Sequence, residues 1–371
     1  MKIFLCSSVE LSRFAKRLVF SLNEVGYSVE EIYVIPEKSY RTSTSFLMPR
    51  ILKLRQYLVY PVKLALTCIF SNFNKSNAVF LVTTNTFFAP LVATFFNSRV
   101  VHLVYDLFPE AMIHSGKWQE GQLRVKFFRW LVGLTLKRSA TNIFLGERLK
   151  KYVESIHGSL PNNQIIAVGA DEASFSKFEL LEDAELISVL YCGNFGNMHE
   201  SKTLLDAWQS GINKSFQFIF HCFGPKRRDL ELFQAKHEAV LGGRFQINQG
   251  LSNQEWVKVM QSCQIALVTM SEGAQEVVMP SKTYSAMMAG QAILAVAPED
   301  SDLVDLIKAS NCGWWVAPND SEGLKECLLT IQLDKELLLQ KRQNAFRVAH
   351  DHYGQGCLAK QWVKVFESLQ N

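Results

Sequence analysis

Val277-Val278-Met279-Pro280-Ser281-Lys282-Thr283-Tyr284-Ser285-Ala286-Met287-Met288-Ala289-Gly290 reads as a turn that feeds a helix. Pro280 suits the start of a helix, where its missing N–H would have no partner anyway. Ser281 is placed to cap, and Thr283 to Ala289 are helix-compatible. Gly290 ends the helix, and Gln291-Ala292-Ile293-Leu294-Ala295-Val296 follows as a buried strand. The free N–H groups and partial positive charge of a helix N-terminus favour an anion. Lys282 adds a full charge in the first turn, and the ligand this suggests is a diphosphate. The plainer reading is a cap with a solvated lysine, as in many strand–turn–helix units.

Working outward, the second half of the chain alternates short apolar runs with helical patterns. Leu186 to Tyr191 reads as a strand, with Cys192-Gly193-Asn194-Phe195-Gly196-Asn197 as a Gly-rich turn and Ser201 to Trp208 as a helix. A strand at Phe216 to Phe223 stops at Gly224-Pro225, before a helix over Arg228 to Ala239. Phe245 to Gln249, Asn253 to Cys263 and Ile265 to Thr269 read as strand, helix and strand. Helices are expected over 303–309, 321–333, 338–353 and 358–369, the last two broken near Gly354-Gln355-Gly356. Trp314-Trp315 reads as packing.

The first half repeats the alternation. Strands are expected at 2–7, 29–35, 78–83, 99–105, 142–145 and 165–168, and helices at 12–25, 50–71 and 123–139. The long one is kinked or started at Pro61, and 87–96 reads as an apolar helix or loop. Strands alternating with helices predict parallel sheets covered on both faces. At 371 residues two domains are the default. The polar stretch Gly169 to Glu185 suits a linker. The division expected is 1–170, with 355–371 packing back on it, and 171–354. Two doubly wound halves leave a cleft, and the linker and the break at 354–356 are its natural hinges.

Charge separates the halves. Residues 1–170 carry 21 Lys and Arg against 10 Asp and Glu, and the remainder carries 18 against 25. No acidic residue occurs between Glu37 and Asp106. In that interval Arg50, Lys53, Arg55 and Lys63 interleave with Ile51, Leu54, Tyr57 and Leu58. This pattern points to an anionic membrane surface as a partner, with binding in the interface plane. The eight cysteines lack metal-like spacing and sit mostly in apolar runs, which favours a reducing cytosol. The first residues read as a strand rather than a leader, and the apolar run from Tyr57 to Phe70 is broken by Pro61 and Lys63, so no span is expected. No nucleic-acid partner is expected.

Three pieces of the sequence resemble bacterial GT-B glycosyltransferases of family 4, of the Pro-Ser-Lys subgroup that builds capsule, O-antigen and exopolysaccharide units. Leu190 to Glu200 is similar to the turn Y-x-G-N-x-G-x-x-H-(D/E) that opens the C-terminal domain. Pro280 to Gly290 is similar to P-S-K-x-Y-x-x-x-A-A-G, and Tyr105 to Glu110 to a segment at a strand end of the N-terminal domain. The resemblance implies a GT-B fold, two Rossmann-like domains facing a cleft. It implies a UDP- or GDP-sugar donor on the C-terminal domain, for which Gly193, Asn194, Gly196, Lys226, Ser281, Lys282 and Ser285 are the candidate contacts. It implies a lipid-linked or glycan acceptor on the first domain, retention of the anomeric configuration, no metal and no cofactor beyond the donor. Asp106 and Lys282 are the expected catalytic residues. Asp106 could instead cap the next helix. Glu110 and His114 are weaker candidates, and Arg227 and Arg228 are further candidates for phosphate contact beside Lys226.

The sequence also departs from the pattern. Val277 and Ser285 stand where many members have a Glu pair, and Asn194 and His199 stand where an Arg and a Lys often grip the diphosphate. These departures keep open a non-catalytic partner subunit. A GT-B nucleotide-sugar epimerase is another reading, though no catalytic His with its carboxylates can be placed. A dinucleotide enzyme is disfavoured, since no Gly-x-Gly-x-x-Gly follows the first strand.

Overall fold

The structure, a computed structural model, describes residues 1–10, 18–19, 21–36, 48–73, 78–105, 107–160, 162–181, 185–211 and 214–369. It divides into two compact units. Unit 1 comprises Met1–Val168 with Gln355–Asn371, and unit 2 comprises Gly169–Gly354.

Unit 1 starts with β1 (Lys2–Cys6) and β2 (Ser28–Ile32), with helical residues at 18–19 and 21–24 between them. A long helical stretch follows, made of α1 (Met48–Leu54), a π-helical turn (Arg55–Val59) and α2 (Tyr60–Phe73). Pro61 thus lies inside a continuous helical stretch, directly after the π-helical turn, the kind of local irregularity that accompanies a residue with no N–H to donate. Then come β3 (Ala78–Thr83), α3 (Ala89–Phe96), β4 (Val100–Val104), α4 (Glu110–His114), α5 (Leu123–Arg138), β5 (Thr141–Phe144), α6 (Glu147–His157) and β6 (Asn163–Ile165). The sheet order is β2-β1-β3-β4-β5-β6, and every pairing is parallel. The last strand pairs over 163–165 rather than the expected 165–168.

The period-2 alternation of β1 separates two cores. Ile3 and Leu5 pack with Val79, Leu81, Val101 and Leu103 on one face, and Phe4 and Cys6 pack with Phe80, Val82, Tyr60 and Leu64 on the other. Tyr60, Leu64 and Cys68 are the inward stripe of α2. The outward side of the same stretch carries exposed Leu54, Tyr57, Leu58, Val62 and Phe70.

Unit 2 runs β7 (Ile187–Asn194), α7 (Lys202–Gln209), β8 (Phe216–Phe223), α8 (Arg227–Leu241), β9 (Phe245–Asn248), α9 (Asn253–Ser262), β10 (Ile265–Thr269), α10 (Lys282–Met288), β11 (Ala292–Val296), α11 (Asp302–Ser310), β12 (Gly313–Val316), α12 (Ser321–Leu333) and α13 (Lys335–Tyr353). The final helix, α14 (Gln355–Ser368), belongs to unit 1, where Trp362, Val365 and Phe366 join the core of Ile3 and Leu5. Among the described residues no helix is long and apolar enough to cross a membrane.

The sheet order of unit 2 is β12-β11-β10-β7-β8-β9, again all parallel. Numbered from β7, this is the 3-2-1-4-5-6 order of a dinucleotide-binding sheet read from its other edge. The chain leaves β7 toward one edge and β10 toward the other. The loops after these two strands diverge, and their carboxyl ends form the crevice where open α/β sheets bind ligands.

Candidate donor site

The loop after β7 is short and tightly held. β7 continues through Gly193 and Asn194, two residues the sequence assigns to a turn, because both pair with Cys222 and Phe223 of β8. Gly193 has φ +128°, a region L-residues rarely adopt. Gly196 is not in that region, so its place does not depend on positive φ.

The ends of two neighbouring strands, β8 and β10, fix this loop. Phe195 N–H donates to Phe223 O at 2.6 Å and Lys226 N–H donates to Phe195 O at 3.1 Å, which bind it to the end of β8. Gly224, at φ +109°, makes the approach possible: a Cβ there would collide with Asn194 Oδ1. On the other side Ser271 N–H donates to Met198 O at 2.9 Å, across the divergence of β7 and β10. His199 Nδ1 lies 2.9 Å from Thr269 O. A carbonyl only accepts, so the neutral ring carries its proton on Nδ1 and leaves Nε2 as an acceptor. Burial, and next to it the positive charge of Lys282, lowers the His199 pKa to about 3. His199 is therefore uncharged at neutral pH and cannot replace a diphosphate-gripping lysine.

Two lysines converge on the loop. Lys282, the first residue of α10, brings Nζ to 2.5 Å from the Tyr191 hydroxyl and 3.4 Å from Asn194 O. The same Nζ lies 3.9 Å from the centroid of the Tyr191 ring. The Tyr191 hydroxyl donates its own hydrogen bond to Asn194 O at 2.7 Å. Burial lowers the Lys282 pKa to about 7. Lys226 donates from Nζ to His199 O, so a cation from the β8 loop stands beside the position where the sequence has lost one.

The other expected residues are placed differently. Ser281 occupies the position before α10, but its side chain makes no capping bond there, and its backbone is already helical at φ −59°, ψ −23°. With that backbone its hydroxyl does not take the N-cap role. Ser285 is partly exposed on α10. Arg227 is held by Cys222 O and Asn248 O, each at 2.6 Å, and by Glu231, so it ties β8 to β9. Arg228 is exposed. In unit 1, Glu110 is fully buried and paired with Arg129 at 2.6 Å, and His114 packs near Tyr152 at 6.5 Å between ring centres. Asp106 lies outside the described residues. The bond between His199 and Thr269 and the Tyr191 ring beneath Lys282 are absent from the sequence reading; the alternation in β7 marks Tyr191 as buried, but nothing local to it marks Lys282 as its neighbour.

Residues 187–334 match the family described as glycosyl transferases group 1, over most of unit 2. A probable glycosyltransferase of Pseudomonas aeruginosa, WbjE, is 24% identical over an alignment of 253 positions that covers 63% of this chain. The chain spans 60% of that relative's length. Among solved structures, a sucrose-phosphate synthase from Thermosynechococcus elongatus superposes with a TM-score of 0.74 at 14% identity, covering 100% of this chain and 99% of its own. Anabaena HepE in complex with UDP superposes with a TM-score of 0.72 at 13% identity, covering 99% of both chains. The fold is GT-B, with two Rossmann-like units. Within residues 187–334 the Gly193–His199 loop, Lys226 and Lys282 all lie at the point where the strand order reverses.

Proposed function

We propose that the chain is a glycosyltransferase that moves a sugar from a nucleoside-diphosphate sugar to a lipid-linked or other glycan acceptor in bacterial surface-polysaccharide synthesis, with retention at the anomeric carbon. The observation that carries this reading is the position of Lys282 Nζ, 3.4 Å from Asn194 O at the switch point of unit 2, with Lys226 on the adjoining loop. In this reading the leaving diphosphate gathers negative charge as the glycosidic bond to the donor breaks. Lys282 and Lys226 are already positioned at this loop, so they stabilise that charge with little reorganisation. UDP in the HepE complex is consistent with a uridine or related donor here. Asp106 keeps its expected role on the acceptor side, and the reading places the protein on the inner face of the cell membrane.

Thermal melting with UDP, GDP, ADP and CMP tests donor binding, because a ligand that binds only the folded state raises the melting temperature. Hydrolysis of UDP- and GDP-sugars without acceptor then separates a catalyst from a partner subunit. No shift with any nucleotide, or a shift without hydrolysis or transfer, sinks the catalytic reading. NMR of the product's anomeric proton tests retention.

A further inference from the structure

A connected band of aromatic rings crosses the surface of unit 1. Tyr57, in the π-helical turn, meets Phe88 at 6.3 Å between ring centres, and Phe88 meets Phe87 at 5.2 Å. Phe87 packs edge-on to Phe128 at 5.1 Å, Phe128 touches Phe127 at 5.4 Å, and Phe127 touches Trp130 at 6.1 Å. The contacts make one continuous patch from elements distant in sequence. Its ends are open: Tyr57 is 45% exposed, Phe127 54% and Trp130 62%. Leu58, next to Tyr57 in sequence, and Leu123, one helical turn before Phe127, are exposed as well. Contiguous exposed rings, rather than singly scattered apolar residues, mark an interaction surface.

The rim is cationic. Arg55, Arg124 and Lys126 are exposed, and the Arg124 guanidinium lies over Trp118 at 4.6 Å. Glu120, the nearby carboxylate, is engaged by Arg129. The band is anchored to the carboxyl end of the sheet. Gln56 Nε2 donates to Asn85 O at 2.6 Å, and Asn85 Nδ2 donates to Ser7 Oγ at 3.0 Å. Ser7 and Asn85 follow β1 and β3, the strands between which the order of unit 1 reverses. The patch thus borders the place where this sheet would hold a ligand.

We propose that this face seats unit 1 on an anionic lipid bilayer. Apolar rings, of which Tyr57 and Trp130 carry a polar O–H or N–H, match the boundary between headgroups and acyl chains, and a cationic rim matches anionic headgroups. A second copy of the chain would bring the same cations against each other, which opposes self-association through this face. The value of the placement rests on the proposed lipid-linked acceptor: a bilayer at this face presents such a molecule at the carboxyl end of the sheet.

The test is co-sedimentation of the full chain with phosphatidylcholine vesicles with and without phosphatidylglycerol. Binding is expected only with phosphatidylglycerol and is expected to weaken with salt. Arg55→Glu/Arg124→Glu/Lys126→Glu should lower vesicle affinity on the order of 10²-fold, and Tyr57→Ser/Phe127→Ser/Trp130→Ser by at least as much. Leu333→Ser, at an exposed leucine of unit 2, should leave it unchanged. If the ring variant fails to fold, quenching of tryptophan fluorescence by brominated lipid replaces it, with Trp130→Phe expected to remove most of the signal. Equal binding to both vesicle types, no binding at all, binding indifferent to the charge variant, or a dimer dissolved by these substitutions overturns the proposal. The nucleotide melting shift does not involve vesicles, so loss of either result leaves the other standing.

Discussion

The Lys282 ammonium lies against the face of Tyr191 while donating to its hydroxyl at 2.5 Å, although the two residues are 91 positions apart. The ring shields the lysine from water, which is why burial dominates and lowers its pKa to about 7. A diphosphate bound beside Nζ would raise that pKa again, because an opposite charge favours the ammonium. Above pH 7 binding must therefore take up a proton. Affinity for UDP should fall as pH rises above 7, by up to tenfold per unit, and calorimetry in buffers of different ionisation heat at pH 8 should report close to one proton taken up. Lys282→Met should abolish the uptake, and Lys282→Ala should lower transfer roughly 10²-fold, the scale of losing one transition-state donor. Proton uptake unchanged in Lys282→Met would refute the assignment.

Gly224 is constrained twice, by φ +109° and by its neighbours: a methyl group on its Cα would collide with Asn194 Oδ1 and lie 2.8 Å from Phe195 O. Gly224→Ala should cost about 1–2 kcal/mol in backbone strain alone and push the Gly193–His199 loop away from Lys226. Gly242, at φ +54° with nothing within 4 Å, offers the control. Gly242→Ala should lower the melting temperature slightly and leave nucleotide affinity unchanged, whereas Gly224→Ala should lose both. Equal effects of the two substitutions on nucleotide affinity would show that the loop contact is unimportant.

Much of this architecture is legible in the sequence because local patterns agree with the fold. The apolar runs at Ile265–Thr269 and Ala292–Val296 are buried on both faces, as parallel strands require, and Gly290 ends α10 at φ +75°. The strand Gly313–Val316 escapes the sequence reading, since four residues containing two tryptophans show no period. The helix α6 escapes it too. The candidate site is legible by residue type but not by arrangement. In sequence, Lys226 belongs to a basic helix start with Arg227 and Arg228. Only the fold separates them, sending Lys226 to His199 O, Arg227 to the β8 and β9 carbonyls and Arg228 to the surface.

Glu110 has no exposed surface, and Arg129, on α5, reaches one of its oxygens at 2.6 Å. Removing the guanidinium strands a buried carboxylate, which costs about 3–5 kcal/mol when one partner of such a pair is deleted. Arg129→Ala should therefore lower the melting temperature of unit 1 far more than Glu110→Gln/Arg129→Ala, in which no charge is left behind. A double-mutant cycle measures the difference, and an additive cycle would show that the pair is not coupled.

Acid should destabilise both units through histidines held neutral. Burial lowers His102 to about 4 and His157 to about 4 in unit 1, and His199 to about 3 in unit 2. Unfolded histidine titrates near 6.5. Below that pH the unfolded chain binds protons that the folded units refuse, so stability is fully present above pH 6.5 and falls as pH drops toward 4. His102 is 2% exposed and its Nδ1 lies 3.2 Å from Asn142 Oδ1, so its slope should approach about 1.4 kcal/mol per pH unit between these limits. The two units give separate contributions, and unfolding need not be a single transition. Melting curves at pH 7, 6 and 5 should shift steadily downward for the wild type. His102→Gln, which does not titrate, should start lower at pH 7 and shift less for the unit 1 transition, while the unit 2 transition keeps its wild-type slope. A unit 1 slope unchanged by His102→Gln would mean that the acid sensitivity arises elsewhere.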